Sequence, residues 1–525
     1  MSSTETLQQQ QQPGAWSILS LVDELLLCIV DQIDSHEALC NLAVTCSRFQ
    51  GLVEPYCWRS LLVTKGRHAS RIALALNNRV ERIGFIQDMA IRYDYKHEEG
   101  IENLGAFLAN MHKLRNLTIE SPCPNNGDWR TGASFFSWSR IDYTTLFETR
   151  ALPMLTSFSL HGHPSESRKF AFGKMAIIFF HPTLRDITIS CSDFNDDINL
   201  DDIVPEKLKS TPLQSLTLIE CNVYVRFLDV VLSLPRALKR LSIGERLHVF
   251  QNRPSDNLAD RTSHPLFLSA LEKQADSLTH LTHNAGNTHY LRSQPQVTTD
   301  SSTPLRNFHH LEHLAIGFES PLLQHVHQSS CPDSLKTIKL SDHALVPSLR
   351  YTQPDNVLRT ASDTLLKRFS RPVDLDILFN HDHNTDLGHY WNRPAHHSHR
   401  RVIYDLAKAV KARGSRLRIF RHQFPVPGRS FIPPYMYGED EPVEELFYDS
   451  DAFWMFGQVS HQSYDEELLE NPDLVDEFVR KRGGERRVAS EQTLMQMLQV
   501  HVWTNIGDGV TLGLLTPGPP PPPPS

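Results

Sequence analysis

The densest set of potential metal ligands in the chain is His381, His383, His389, His396, His397 and His399, with Asp382 and Asp386 among them. Imidazoles and carboxylates together would suit a divalent transition metal. Their spacing is irregular and runs through Asn, Gly and Pro, which fits a solvated loop better than a built site. The cysteines are Cys28, Cys40, Cys46, Cys57, Cys123, Cys191, Cys221 and Cys331. None forms a CxxC pair, so the usual spacing of a zinc site is absent. Gly-x-x-x-x-Gly-Lys-Ser/Thr, Gly-x-Ser-x-Gly, a complete Gly-x-Gly-x-x-Gly and His-Glu-x-x-His are all missing. These residues predict no bond-making chemistry: no catalytic residue, no cofactor and no resident metal is expected.

Charge narrows the class further. The net charge of −9 argues against a dominant phosphate-binding surface, so no nucleic-acid partner is expected. A basic stretch nevertheless runs from Arg400 to His422, through Arg401, Lys408, Lys411, Arg413, Arg416, Arg418 and Arg421. It can pair with the acidic segment 439–451 or face an acidic or phosphorylated partner. Arg480-Lys-Arg482 with Arg486-Arg487 is a weakly specific nuclear-localisation pattern. The amino terminus is polar and glutamine-rich, without the character of a signal peptide. No apolar run reaches 18 residues, so no membrane span is expected. Free thiols then fit a cytoplasmic or nuclear protein.

The elements that must position any site follow from a recurring pattern, Leu-polar-polar-apolar-x-apolar. It occurs at Leu114–Ile119, Leu155–Leu160, Leu184–Ile189, Leu213–Leu218, Leu238–Ile243, Leu278–His283, Leu311–Ile316 and Leu335–Leu340. Val80–Phe85 reads as a weaker first member. Chance would give about one match to the strict form in a chain of this size. Successive first positions lie 24 to 41 residues apart, so the repeats are degenerate. In each copy the last and third-from-last residues fall on one face of a short strand. Such a unit cannot bury its apolar face alone and must stack on its neighbours. Val223–Leu234 and Pro265–Gln274 read as returning helices, with His309, His310 and His313 around one polar strand face. Further on, Val373–Phe379 reads as a strand, Tyr404–Ala412 as a helix and Leu417–Phe420 as a last strand. The aromatic and acidic segment 429–457 reads as a cap on the open end.

Ahead of the repeats lies a run of short amphipathic helices. Ser20 and Asp23 have capping-box spacing. Leu25, Ile29 and Ile33 recur at i, i+4 and i+8. Ser35 is placed to cap a second helix carrying Leu39, Leu42, Ala43, Cys46 and Phe49. Pro55 starts a third element with Tyr56, Trp58 and Leu61. A unit of about 40 residues is marginal on its own. Leu21, Leu25, Leu26 and Ile29 cannot all face inward in it, so part of this apolar surface is left for something else.

The segment resembles an F-box, the module by which substrate receptors of SCF-type cullin–RING ubiquitin ligases bind a Skp-type adaptor. The opening Leu-Pro-x-Glu-Leu-Leu-x-x-Ile is matched by Leu21-Val22-Asp23-Glu24-Leu25-Leu26-Leu27-Cys28-Ile29, with Val22 at the usual proline. Leu39, Leu42, Cys46 and Phe49 match the middle piece, and Trp58-Arg59-Ser60-Leu61 the closing one. The remainder is similar to the degenerate leucine-rich repeats of fungal F-box proteins. The resemblance implies that Leu21, Glu24, Leu25, Leu26, Ile29, Leu39, Leu42, Cys46, Phe49 and Trp58 form the F-box core and adaptor interface. It implies as partners a Skp-type adaptor, through it a cullin–RING ligase, and an unidentified protein substrate. The alternative is a leucine-rich-repeat scaffold unconnected with ubiquitin, whose first helices only cap the repeats.

The expected fold is α/β (α+β): a three-helix F-box, then a leucine-rich-repeat-like solenoid of short parallel strands with helices on the convex side, between disordered termini. The expected divisions are a Gln-rich terminus at 1–16, the F-box at 17–62 and the repeats at 63–425. A cap at 426–470 and a charged segment with a Pro-rich tail at 471–525 complete the chain. Pro519–Pro524 is expected to be an extended polyproline run.

Overall fold

A computed structural model describes residues 17–92, 99–120, 146–147, 152–161, 170–171, 173–190, 192–194, 205–245, 266–285, 305–317, 320–326, 330–345, 354–369, 371–379, 397–423, 443–451, 454–455, 458–459, 502–506 and 509–513. The Gln-rich start, most of the histidine-rich stretch, Phe431–Tyr435, the Arg480–Arg487 pattern and the polyproline run lie outside these residues; the side chains of His397 and His399 are likewise not described. The fold is mixed α/β, built on open, mostly parallel sheet. It divides into two compact units, the first centred on Met1–Leu238 and the second starting at Lys239.

The first unit opens with helices α1 (Asp23–Val30), α2 (His36–Ala43) and α3 (Ser47–Cys57). Strand β1 (Ser60–Val63) and helix α4 (Gly66–Asn78) follow. The strands β2 (Asp88–Arg92), β3 (Asn116–Glu120), β4 (Ser157–His161), β6 (Asp186–Ser190) and β8 (Ser215–Val223) continue from β1 as one parallel ladder. A narrower parallel ladder joins β5 (Phe170–Ala171), β7 (Ser192–Phe194) and the far end of β8. Met89, Leu117, Phe158, Ile187 and Leu216 lie side by side across the main ladder and are all buried. Ile91, Ile119, Leu160, Ile189 and Leu218 form the second buried row.

The second unit repeats the device. Its strands β9 (Arg240–Glu245), β10 (His280–Asn284), β11 (His313–Ile316), β12 (Thr337–Ser341), β13 (Asp374–Phe379) and β14 (Leu417–Gln423) are parallel and in register. Helices Leu266–Glu272, Pro354–Arg368 and His397–Lys411 lie between strands. The last strand, β15 (Val443–Asp449), turns antiparallel onto β14, and Phe447 and Tyr448 on it are buried. Trp454–Met455 adds antiparallel to β15.

The leading residue of every predicted copy, from Leu114 to Leu335, is buried. One backbone motif recurs at the start of several strands. The N–H groups of two consecutive residues both donate to a single carbonyl of the preceding copy. Arg115 and Asn116 donate to Gln87, Thr156 and Ser157 to Arg115, Arg185 and Asp186 to Thr156, and Gln214 and Ser215 to Arg185. In the second unit Thr279 and His280 donate to Lys239, and Glu312 and His313 to Thr279. Stacked repeats thus satisfy backbone groups that a lone strand would leave to water.

The beginning of the series needs correction. Val80–Phe85 is a 3-10 turn, not a repeat strand. The strand that precedes β3 follows Ile86, and Ile86-Gln-Asp-Met89-Ala-Ile91 has the pattern with isoleucine in front. One copy earlier stands Trp58-Arg-Ser-Leu61-Leu-Val63, whose last four residues are β1. Gln87 and Asp88 donate to Arg59, so the backbone motif starts there. The spacings become 86 − 58 = 28 and 114 − 86 = 28, both regular. A further difference lies near the carboxyl end, where Val502–Ile506 and Gly509–Gly513 pair as antiparallel strands inside the segment expected to be only charged and Pro-rich.

His283 occupies an inward position that other copies fill with Ile or Leu. It is fully buried, its Nδ1 lies 2.7 Å from Ser320 Oγ, and its ring centroid is 4.6 Å from that of Phe267. Burial pushes its pKa down to about 3 from the ordinary 6.5. The folded-state value is lowered, so above pH 6.5 the histidine carries no proton penalty. Below 6.5 the unfolded chain takes up a proton that the folded chain refuses, and stability falls until about pH 3. The slope is about 1.4 kcal/mol per pH unit. His283→Leu removes this term. In urea unfolding the variant should gain about 2 kcal/mol on the natural protein between pH 7.5 and pH 5. A difference that does not change with pH would mean that His283 is not held neutral.

Candidate functional site

The helical segment closes a small core and leaves one apolar row outside it. Leu26, Val30, Leu39, Phe49 and Val53 are buried together, with Leu21, Ile33, Leu42, Ala43 and Cys46 packed against them. The inward residues of α1 are therefore Leu26 and Val30, each one residue on from the predicted Leu25 and Ile29, while Ile33, just past the helix, does pack against the core as predicted. Val22, Leu25 and Ile29 face outward, with exposures of 57%, 51% and 41%. Ile18 and Leu19, in the 3-10 turn just before α1, are also exposed, and so is Glu24. Exposed apolar side chains at i, i+3 and i+7 share one helix face. A contiguous patch of this kind marks an interaction surface more often than scattered single residues do.

The amino end of α1 is fixed from a distance. Arg48 donates from Nε and Nη2 to Asp23 Oδ1, at 2.9 and 2.7 Å, and from Nη2 to the Leu21 carbonyl at 2.7 Å. It also reaches the Leu19 carbonyl. The predicted capping box does not form. Val22 is the N-cap residue, Ser20 Oγ instead donates to the Ser17 carbonyl, and Asp23 is held by Arg48. A guanidinium that binds two carbonyls and a carboxylate orders the turn on which Ile18 and Leu19 sit. Sequence reading passed over Arg48, although it lies inside Cys46-Ser-Arg48-Phe49 with basic charge opposite acidic Asp23. Ser35 does cap α2, its Oγ accepting from Ala38 N–H at 3.2 Å.

Val22 has φ −70° and Leu21 has ψ 149°. These are the angles that a Leu-Pro step would take. The helix start is thus shaped to accept a proline at position 22. Val22→Pro should raise stability by about 0.4–1 kcal/mol through the unfolded chain. Thermal unfolding checks it, and a loss of stability would show the turn to be different from the one described.

The third predicted element is not separate. Pro55 lies inside α3, which runs on to Cys57 because Phe49, Val53 and the half-buried Tyr56 continue one face. Tyr56 OH donates to Asp31 Oδ1 at 2.7 Å, and that bond is the main cause of its raised pKa. Trp58 follows at the start of the first repeat, with the Arg82 guanidinium 4.9 Å over its ring. Glu54, buried on α3, accepts from Arg79 Nη1 at 2.6 Å and Arg82 Nε at 2.7 Å. The helices and the first repeats are accordingly joined by packing and charge, as well as by chain.

Of the ten residues singled out, Leu26, Leu39 and Phe49 are core. Leu21, Leu42 and Cys46 line it, Glu24, Leu25 and Ile29 are exposed, and Trp58 belongs to the repeat junction. Val30 and Val53 were missed, although each stands four residues after a core residue, at helical spacing.

The polar strand face of the second unit is the other surface of interest. The rings of His280 and His313 stack there with centroids 4.4 Å apart. Arg418 grips Asp376 with two bonds of 2.7 and 2.6 Å. Burial still lifts the Asp376 carboxyl above its usual range, outweighing the arginine. Arg416 binds Asp449, Arg421 binds Glu445 at 2.7 Å, and Lys339 binds Glu444. Lys339 and Arg418 also lie over the Phe420 ring, at 5.2 and 5.6 Å. Within the basic stretch, Arg416 and Arg421 pair with the acidic strand β15, as one of the two sequence readings anticipated, and Arg418 pairs with Asp376.

Among the described residues no group of three His, Cys, Asp or Glu side chains is arranged to hold a metal ion, and no helix is long and apolar enough to cross a membrane. No protein-family model matches the chain, and no curated protein matches it in sequence.

Proposed function

We propose that the chain is a substrate-recognition subunit of an SCF-type cullin–RING ubiquitin ligase. In this reading α1–α3 are an F-box that docks a Skp-type adaptor, and the repeats are leucine-rich repeats that hold a target protein. The observation that carries it is the outward row Leu19, Val22, Leu25 and Ile29 on a helical unit whose own core is already closed by Leu26, Val30, Leu39, Phe49 and Val53. The row overlaps the opening piece of the F-box resemblance at Leu25 and Ile29, with the exposed Glu24 beside them. Such a subunit does no bond chemistry. It raises the effective concentration of the target's lysines near a charged conjugating enzyme.

A second reading is a repeat scaffold unconnected with ubiquitin, with α1–α3 as its end cap. The contacts of Glu54 with Arg79 and Arg82 favour it, because they bind the helices to the repeats. Co-expression of the full chain with a Skp-type adaptor separates the two. The ligase reading expects one complex eluting together in gel filtration, while the scaffold reading expects two separate peaks.

A further inference from the structure

Two of the four cysteines in the helical segment are brought together. Cys40 lies on the last turn of α2 and Cys57 ends α3, 17 residues later, and their Sγ atoms are 3.9 Å apart. Both are free and half-buried. His36, one turn before Cys40, joins them. Its Nε2 is 3.0 Å from the Cys57 carbonyl oxygen, and its Nδ1 and Nε2 lie 3.8 and 4.0 Å from Cys40 Sγ. A carbonyl oxygen only accepts, so Nε2 carries the ring proton and Nδ1 is the ring atom left able to accept one.

We propose that Cys40 and Cys57 form a reversible disulfide by exchange with a low-molecular-weight disulfide such as oxidised glutathione. Cys40 is the attacking thiol, His36 takes its proton, and Cys57 is the resolving thiol. The Cys40 thiolate attacks one sulfur of the oxidant, breaks its S–S bond and expels one thiolate, which is protonated from His36 or water. Cys57 then loses its proton, attacks Cys40 Sγ in the mixed disulfide and expels the second thiolate. Two protein thiols are oxidised and one oxidant disulfide is reduced to two thiols. The order of attack follows from surroundings. Burial, with the neighbouring Cys40, pushes the Cys57 thiol up to about 11, which makes it the poorer first nucleophile. The bond would tie α2 to the end of α3 beside the first repeat and would leave the outward row of α1 unaltered. It does not rest on the adaptor reading.

The test uses the full chain, reduced and then equilibrated with mixtures of reduced and oxidised glutathione, followed by alkylation and peptide mass spectrometry. A peptide linked through Cys40 and Cys57 should accumulate as oxidised glutathione rises, while the exposed Cys28 carries glutathione only. Cys57→Ser should trap glutathione on Cys40. Cys40→Ser should leave Cys57 unmodified. His36→Gln should slow the first step at pH 7 by about tenfold or more. Amide exchange across residues 36–57 should slow by about tenfold or more in the oxidised form, since the closed loop restricts the unfolded segment. A persistent glutathione adduct on Cys40 in the natural chain, or a link through a different cysteine, would overturn the pairing. An unchanged rate in His36→Gln would overturn the part given to His36.

Discussion

Replacing Leu25 and Ile29 together by aspartate is expected to abolish capture of a Skp-type adaptor while leaving the fold intact. Both side chains point away from the core of α1–α3, with about half of their surface in water, so the free protein should tolerate the change. Surface substitutions of this kind usually alter stability by no more than about 0.5 kcal/mol. In a docked complex each side chain would lose its remaining exposure. Full burial of such a residue contributes about 1.5–3 kcal/mol, so roughly half of that is available from each here. Aspartate also places a desolvated, unpaired charge in the interface, which adds several kcal/mol. The sum corresponds to a loss of at least about a hundredfold in affinity. Binding isotherms and circular dichroism on the same preparations check both halves. Leu26→Asp is the contrasting variant: its side chain is fully buried, so it should unfold the segment outright.

The second large effect is expected at Glu54. This carboxylate has only 7% of its side chain exposed and is shared by Arg79 and Arg82. Arg82 in turn donates to the Ala75 carbonyl and covers Trp58. Glu54→Ala leaves a largely buried guanidinium without its carboxylate. Breaking a buried pair in this way typically costs about 3–5 kcal/mol. The lower end applies, because Arg79 is nearly half exposed and can rehydrate. Urea unfolding should register a loss of about 3 kcal/mol. A loss under about 1 kcal/mol would mean that the junction is held by packing alone. The same contacts affect how the helices can be separated from the repeats. Removing residues 1–62 would delete Glu54 and most of β1, so the unfolding of what remained would not distinguish a docking module from an end cap. Point substitutions on the outward row do distinguish them.

Much of the parallel ladder was legible because each copy pairs a leading leucine with an apolar pair two residues apart. That arithmetic survives insertions of any length between copies. It failed at the first two copies, where Trp58 and Ile86 take the leading place and a leucine filter rejects both. On α1 it failed by one residue, since Leu25, Leu26 and Leu27 are consecutive leucines. Their inward member is settled by the closure of Leu26 and Val30 on Phe49 and Val53, and by the hold of Arg48 on Asp23 and the two carbonyls. The Arg48 contacts span 25 residues or more of sequence. The basic stretch was visible as charge, and its pairing with acidic 439–451 was one of two readings. The bond of Arg418 to Asp376, 42 residues away, depends on two strands lying in register and has no local signal. The meeting of Cys40 and Cys57 likewise depends on how α2 packs on α3.

The central claim is that the outward face of α1 is where a Skp-type adaptor docks. Amide hydrogen exchange on the full chain, with and without saturating purified adaptor, addresses it most directly. Residues 17–31 should exchange about tenfold or more slowly in the complex, and the strands from β2 onward should be unchanged. Equal exchange at 17–31 with and without adaptor would contradict the claim, as would protection confined to the strands.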